Sequence, residues 1–134
     1  MAKSKRTISF LLPKYAHRPN EWRRAIHRRA VQAARLAGVK LKSVKRSREV
    51  VVDVKLYLSK GGPLDMHDVD NRLKDILDAL QGRAGGRKGR GTGLPAKIIA
   101  NDSSVSEVTI RKTSPPKSQL GDGGRVTVRF LRGR

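Results

Sequence analysis

Cysteine is absent from this chain of 134 residues, which excludes disulfides, thiolate zinc centres and cysteine nucleophiles and is compatible with a cytoplasmic protein. Aromatic residues make up only 4% of the chain, too few for the base-stacking platforms used by readers of single strands and RNA. No stretch approaches the roughly 18 to 20 apolar residues that a membrane-spanning helix needs. The opening MAKSKRTISFLLPKY has too short an apolar run for a secretion signal. Acids are also scarce: 11 Asp and Glu stand against 31 Lys and Arg, a formal net charge of +20. Such a chain repels itself strongly without a polyanionic partner, and nucleic acid rather than a membrane is the expected one.

The length suits a single domain over residues 1–134. Thr7 to Leu12 is β-prone and Pro13 ends it, because proline cannot donate to a ladder. Asn20 as N-cap, Glu21 at the positive end of the dipole and Gly38 as a left-handed stop predict a helix from Glu21 to Ala37. Its buried stripe is expected to be Trp22, Ile26, Ala30, Ala33 and Ala37, with Arg24, Arg28 and Arg35 facing elsewhere. Val50, Val52, Val54, Leu56 and Leu58 alternate with Val51, Asp53, Lys55 and Tyr57 at strand period, up to Gly61, Gly62 and Pro63. In DVDNRLKDILDAL, Val69, Leu73, Ile76, Leu77 and Leu80 have helical spacing, and Asp68 stands at the N-cap position. Residues 82–97 are rich in glycine and charge and are expected to form a flexible basic loop. Val105 to Lys112 and Arg125 to Leu131 read as two further strands. The expected fold class is α+β, a mixed sheet with two main helices in the order strand, helix, strand, helix, strand, strand.

The few acids are unevenly placed: Asp65, Asp68, Asp70, Asp75 and Asp78 fall within one short segment. At about 100° per residue, Asp70, Asn71, Lys74 and Asp78 share one flank beside the apolar stripe, and Asp75 points further out. Neighbouring carboxylates at such a border repel unless a cation lies between them. A hard divalent ion with oxygen ligands suits that need, and Asp68 and Asp70 are candidate ligands. Two structural readings compete with this one: Asp68 as a simple cap, and Asp70 with Lys74 as an ordinary i,i+4 ion pair. Asn101 and Asp102, between the loop and the next strand, could bring a further carboxylate to the helix N-terminus, or could simply form a turn with the serines that follow. His17, His27 and His67 have no metal-ligand spacing.

DVDNRLKDILDALQG followed by NDSSV resembles the signature of the RusA family of Holliday-junction resolvases, most clearly from Asp68 to Lys112, with the glycine-rich loop standing as an insertion. The resemblance implies Asp68, Asp70 and Asp102 as ligands of a catalytic Mg²⁺, or Mn²⁺ in its place. It implies Lys74 near the scissile phosphate, Asn71 as a supporting residue and Lys112 as a further basic position. The implied function is a metal-dependent, structure-selective endodeoxyribonuclease, a homodimer resolving four-way junctions in DNA recombination and repair by paired nicking.

Further phosphate contacts are expected from Arg24, Arg28 and Arg35 on the first helix, Lys45 and Arg46 in the linker after it, and Arg83, Arg87, Lys88 and Arg90 in the loop. The rival reading is a non-enzymatic basic protein of ribosomal or chromatin type. It accounts for the charge and leaves the clustered aspartates unexplained.

Overall fold

The computed structural model describes residues 6–15, 18–41, 49–57, 69–83, 97–99 and 102–131. Strand β1 (Thr7–Leu12) is followed by helix α1 (Pro19–Ala37), strand β2 (Val50–Tyr57), helix α2 (Val69–Leu80), strand β3 (Val105–Thr113) and strand β4 (Gly124–Phe130). Short 3-10 turns at Asp102–Ser104 and Lys117–Gln119 precede β3 and β4. This is the α+β order expected, with strand ends shifted by a residue; Leu58, expected in β2, lies outside the described residues.

The four strands form one mixed sheet in the order β1-β4-β2-β3. β4 is antiparallel to both β1 and β2, while β2 and β3 run parallel. A parallel pair cannot be joined by a tight hairpin, so the chain must cross over between them, and α2 lies in that crossover. β4, last in the chain, is inserted between the first two strands. Gly124 makes its entry close: a Cβ there would overlap the Lys55 carbonyl oxygen, and φ is 155°.

Both helices lie on one face of the sheet. Ile8, Phe10 and Leu12, Val50, Val52, Val54 and Leu56, and Val126, Val128 and Phe130 meet Trp22, Ile26, Ala30 and Ala34 of α1 and Ile76, Ala79 and Leu80 of α2 in a single core. The α1 stripe follows i,i+4 steps through Ala34, with His27 also buried; Ala33 and Ala37, expected inside, are half-buried. α1 also begins earlier than expected. Pro19 enters the first turn, where its missing N–H would have no partner anyway, and Arg18 takes the cap position without a side-chain cap bond. Asn20, the expected cap, instead accepts a hydrogen bond from Arg23 Nη1 at 3.3 Å. Gly38 closes the helix in the left-handed conformation at φ 73°, as its position predicts.

Register sets the direction of α2. Leu12, Leu56, Lys112 and Gly124 mark one end of the sheet, and Thr7, Val50, Val105 and Phe130 the other. Arg72, in the first turns of α2, lies over Tyr15, just past Leu12. At the far end, the Leu80 carbonyl accepts the N–H groups of Ile98 and Ile99 at 2.8 and 3.0 Å. α2 therefore starts near the Leu12 end and finishes near the segment that feeds β3. No described helix is long and apolar enough to cross a membrane.

Candidate functional site

α2 has two chemically distinct flanks. The inner one is buried against α1 through Arg72, Asp75, Ile76, Ala79 and Leu80. Asp75, expected to point outward, is only 4% exposed. Its Oδ1 accepts Arg23 Nη2 at 2.6 Å and Arg23 Nε at 3.0 Å, and its Oδ2 lies 3.3 Å from Arg72 Nη2. That last contact is an ion pair without directed hydrogen bonding, since Asp75 Oδ2 and Arg72 Nε are buried with no hydrogen-bond partner. The Arg72 guanidinium lies 3.8 Å from the Tyr15 ring centroid and 5.6 Å from that of Trp22, cation–π distances. Helical winding about the apolar stripe missed this arrangement because paired charges extend the buried face beyond the apolar residues. The one sequence signal was the i,i+3 spacing of Arg72 and Asp75.

The outer flank carries the sequence-predicted residues. Asp70, Asn71 and Lys74 are exposed and Asp78 is half-buried. Asp70, Leu73, Lys74, Leu77 and Asp78 line a shallow depression of ≈ 240 Å³. Asp70, Lys74 and Asp78 repeat every four residues, so their charges alternate along this flank. The ordinary ion pair between Asp70 and Lys74 is not made: among the described residues, no salt bridge includes either one. Asp78 is partly engaged, with Oδ2 3.5 Å from Arg23 Nη2.

Asp68 and Asn101 lie outside the described residues. The backbone of Asp102 opens the 3-10 turn before β3, a few residues from Ile99 and from the Val50–Val105 register pair. The expectation that this segment reaches the N-terminus of α2 within one chain is therefore not met. Asp102 stands at the end of the sheet where α2 finishes, and from Asp70 to Leu80 the helix rises about 15 Å. Among the described residues, no three His, Asp or Glu side chains are grouped to hold a metal. Asp70 nevertheless fits a hard divalent cation as an oxygen donor, being exposed and uncommitted to any described base.

Lys112 is near the end of β3, opposite Leu56. Strand alternation puts it on the helix-covered face with Val108 and Ile110. Its Nζ is buried and has no hydrogen-bond partner among the described residues. A shielded ammonium is costly without acceptors, and the described residues supply none. Arg24, Arg28 and Arg35 are exposed on α1, as is Arg83 after α2; Lys45, Arg46, Arg87, Lys88 and Arg90 lie outside the described residues. His27 is buried in α1, and His17 and His67 are not described.

The chain matches no protein-family model and no curated protein sequence.

Proposed function

We propose that the protein is a metal-dependent endodeoxyribonuclease acting as a homodimer on branched DNA, in the manner of the RusA resolvases that its acidic segment resembles. The observation that carries this reading is the outer flank of α2, where Asp70 and Lys74 stand exposed, one helical turn apart, without an ion pair among the described residues. A purely structural pair would be expected to close on itself. On the inner flank the charges do so.

Asp68, Asp70 and Asp102 would hold the ion, Mg²⁺ or Mn²⁺, with Asn71 supporting them. When bound, such an ion supplies Lewis-acid polarisation of a phosphoryl oxygen and a more acidic water. Lys74 stabilises the negative charge that develops on the phosphate. Lys112, Arg24, Arg28, Arg35 and Arg83, together with Lys45, Arg46, Arg87, Lys88 and Arg90, attract and position the backbone.

The separation of Asp70 and Asp102 along α2 makes the dimer part of this proposal. A two-fold copy with its α2 antiparallel to the first brings the beginning of one helix beside the end of the other. Each site then takes Asp70 from one protomer and Asp102 from its partner. Two matched sites related by a two-fold axis suit the symmetry of a four-way junction.

The test is nicking of a cruciform plasmid with added Mg²⁺. Wild type should cut, and Asp70→Asn and Asp102→Asn should each be inactive alone. Mixed dimers of the two inactive variants should regain nicking, because one of their two sites contains both native aspartates. Binding without any metal-dependent nicking by wild type would overturn the nuclease reading. Active wild type with no recovery in verified mixed dimers would overturn the shared site.

A further inference from the structure

The face of the sheet opposite the helices is covered by no described helix; Val51 and Tyr57 on it are buried, as is Asp53 Oδ1, while the row between Asp53 and Tyr57 contains an unfavourable arrangement. Side chains alternate across a sheet, so the residues that do not enter the core, Thr7, Ser9 and Leu11 of β1, Val51, Asp53, Lys55 and Tyr57 of β2, and their counterparts on β3 and β4, point to this side. Lys55 is directly opposite Arg111 on β3 and directly opposite Arg125 on β4. Three cations therefore stand in one row across three adjacent strands. Like charges directly opposite each other destabilise a sheet, and no acid lies within the row.

The neighbouring rows do not neutralise it. The next contains Thr109, Asp53, Thr127 and Ser9, and the one beyond it Glu107, Val51, Arg129 and Thr7. Among the described residues neither Asp53 nor Glu107 forms a salt bridge, and neither does Lys55, Arg111 or Arg125. Among the described residues Arg125 has a neutral acceptor, donating from Nη1 to Ser9 Oγ at 2.9 Å. Ser9 in turn lies 3.3 Å from Thr127 Oγ1. Arg111 is exposed, while Lys55 and Arg125 are half-buried. Elsewhere in the fold several buried or half-buried charges are paired: Arg23 and Arg72 with Asp75, and Arg29 with Asp122.

We propose that the accessible row on this face is a second DNA-binding surface, in which Arg111, Lys55 and Arg125 take the phosphates of one DNA strand. Arg129 and the hydroxyls of Ser9, Thr109 and Thr127 complete it as further phosphate or sugar contacts. Two strand spacings set Arg111 and Arg125 about 10 Å apart, close enough for their long side chains to engage neighbouring phosphates of one DNA strand. A polyanion would turn the mutual repulsion of the row into a shared attraction. The face is remote from the helix layer that carries Asp70 and Lys74, so one protein could hold one arm of a branched substrate on the sheet while another lies at α2. The inference needs the DNA-binding part of the function proposed above and not its catalytic part.

The experiment measures binding to a fluorescent duplex and a fluorescent four-way junction by anisotropy, in EDTA, over a range of salt. The triple variant Lys55→Gln, Arg111→Gln, Arg125→Gln should bind more weakly, and its slope of log affinity against log salt should flatten by roughly 2 to 3 units. Its melting temperature should hold or rise, since repulsion has been removed. A second triple variant, Lys14→Gln, Lys40→Gln, Lys97→Gln, removes the same charge from exposed positions outside the row and should flatten the slope by less than one unit. The single variant Arg111→Gln, at an exposed position of the edge strand, should flatten it by about 1 whether or not the triple variant folds. An unchanged slope in Arg111→Gln, or equal losses in the two triple variants, would overturn the proposal. Loss of nicking in wild type with these slopes intact would leave it standing.

Discussion

On its inner flank α2 carries a carboxylate, Asp75, whose oxygens are engaged by Arg23 and Arg72, whereas on its outer flank Asp70 faces solvent with no salt bridge among the described residues. The two lie five positions apart on one helix and have the same chemistry. Their neighbours decide what each does. The buried aspartate fixes α2 against α1, and replacing it leaves the buried Arg72 guanidinium without its counter-charge. The exposed aspartate contributes little to the fold and keeps its lone pairs free. Under the function proposed above, the same helix would serve both as a structural element and as the wall of the metal site.

The contrast can be broken most directly at Asp70. Asp70→Asn should lower metal-dependent nicking by about a thousandfold, roughly 4 kcal/mol in the barrier, while stability in urea changes by less than about 0.5 kcal/mol. Loss of both would move Asp70 into the structural class. Asp75→Asn should do the reverse in kind, costing about 3 kcal/mol of stability because two guanidinium groups lose their counter-charge in a buried setting. Urea unfolding measures it, and a cost under 1 kcal/mol would show that solvent reaches this pair. A smaller effect is expected for Arg72→Lys, about 1 to 2 kcal/mol, since an ammonium keeps the charge but cannot lie flat over Tyr15 and pair with Asp75 together. An unchanged unfolding midpoint would mean that the guanidinium plane contributes nothing there.

The sequence was most legible where one physical rule acts alone. β2 alternates because one face enters the core, and Val50 to Leu56 show it plainly; α2 has a clean apolar period; Gly38 has to stop α1 because a left-handed residue is needed there. Legibility failed where long-range contacts override local pattern. Asp75 reads as a surface acid until Arg23, from the other helix, is brought against it. Pro19 displaces Asn20 from the cap because its fixed backbone suits the first turn. The position of β4 between β1 and β2 has no local signal. For the candidate site, the exposed flank with Asp70, Asn71 and Lys74 was readable from spacing. The distance between Asp70 and Asp102 was not, because it follows from the crossover that parallel pairing of β2 and β3 imposes.

The late strand β4 also determines when this protein can fold. Thr7 is registered against Arg129 and Val50 against Phe130, so the two earliest strands touch only through the last one. A nascent chain emerging from the ribosome would have both helices and three strands translated while the middle of its sheet was still missing. The facing edges of β1 and β2 would stay unpaired until β4 arrived. Contacts so distant along the chain slow folding and lengthen the exposure of apolar strand edges. The net charge of +20 would meanwhile keep unfinished chains apart from one another.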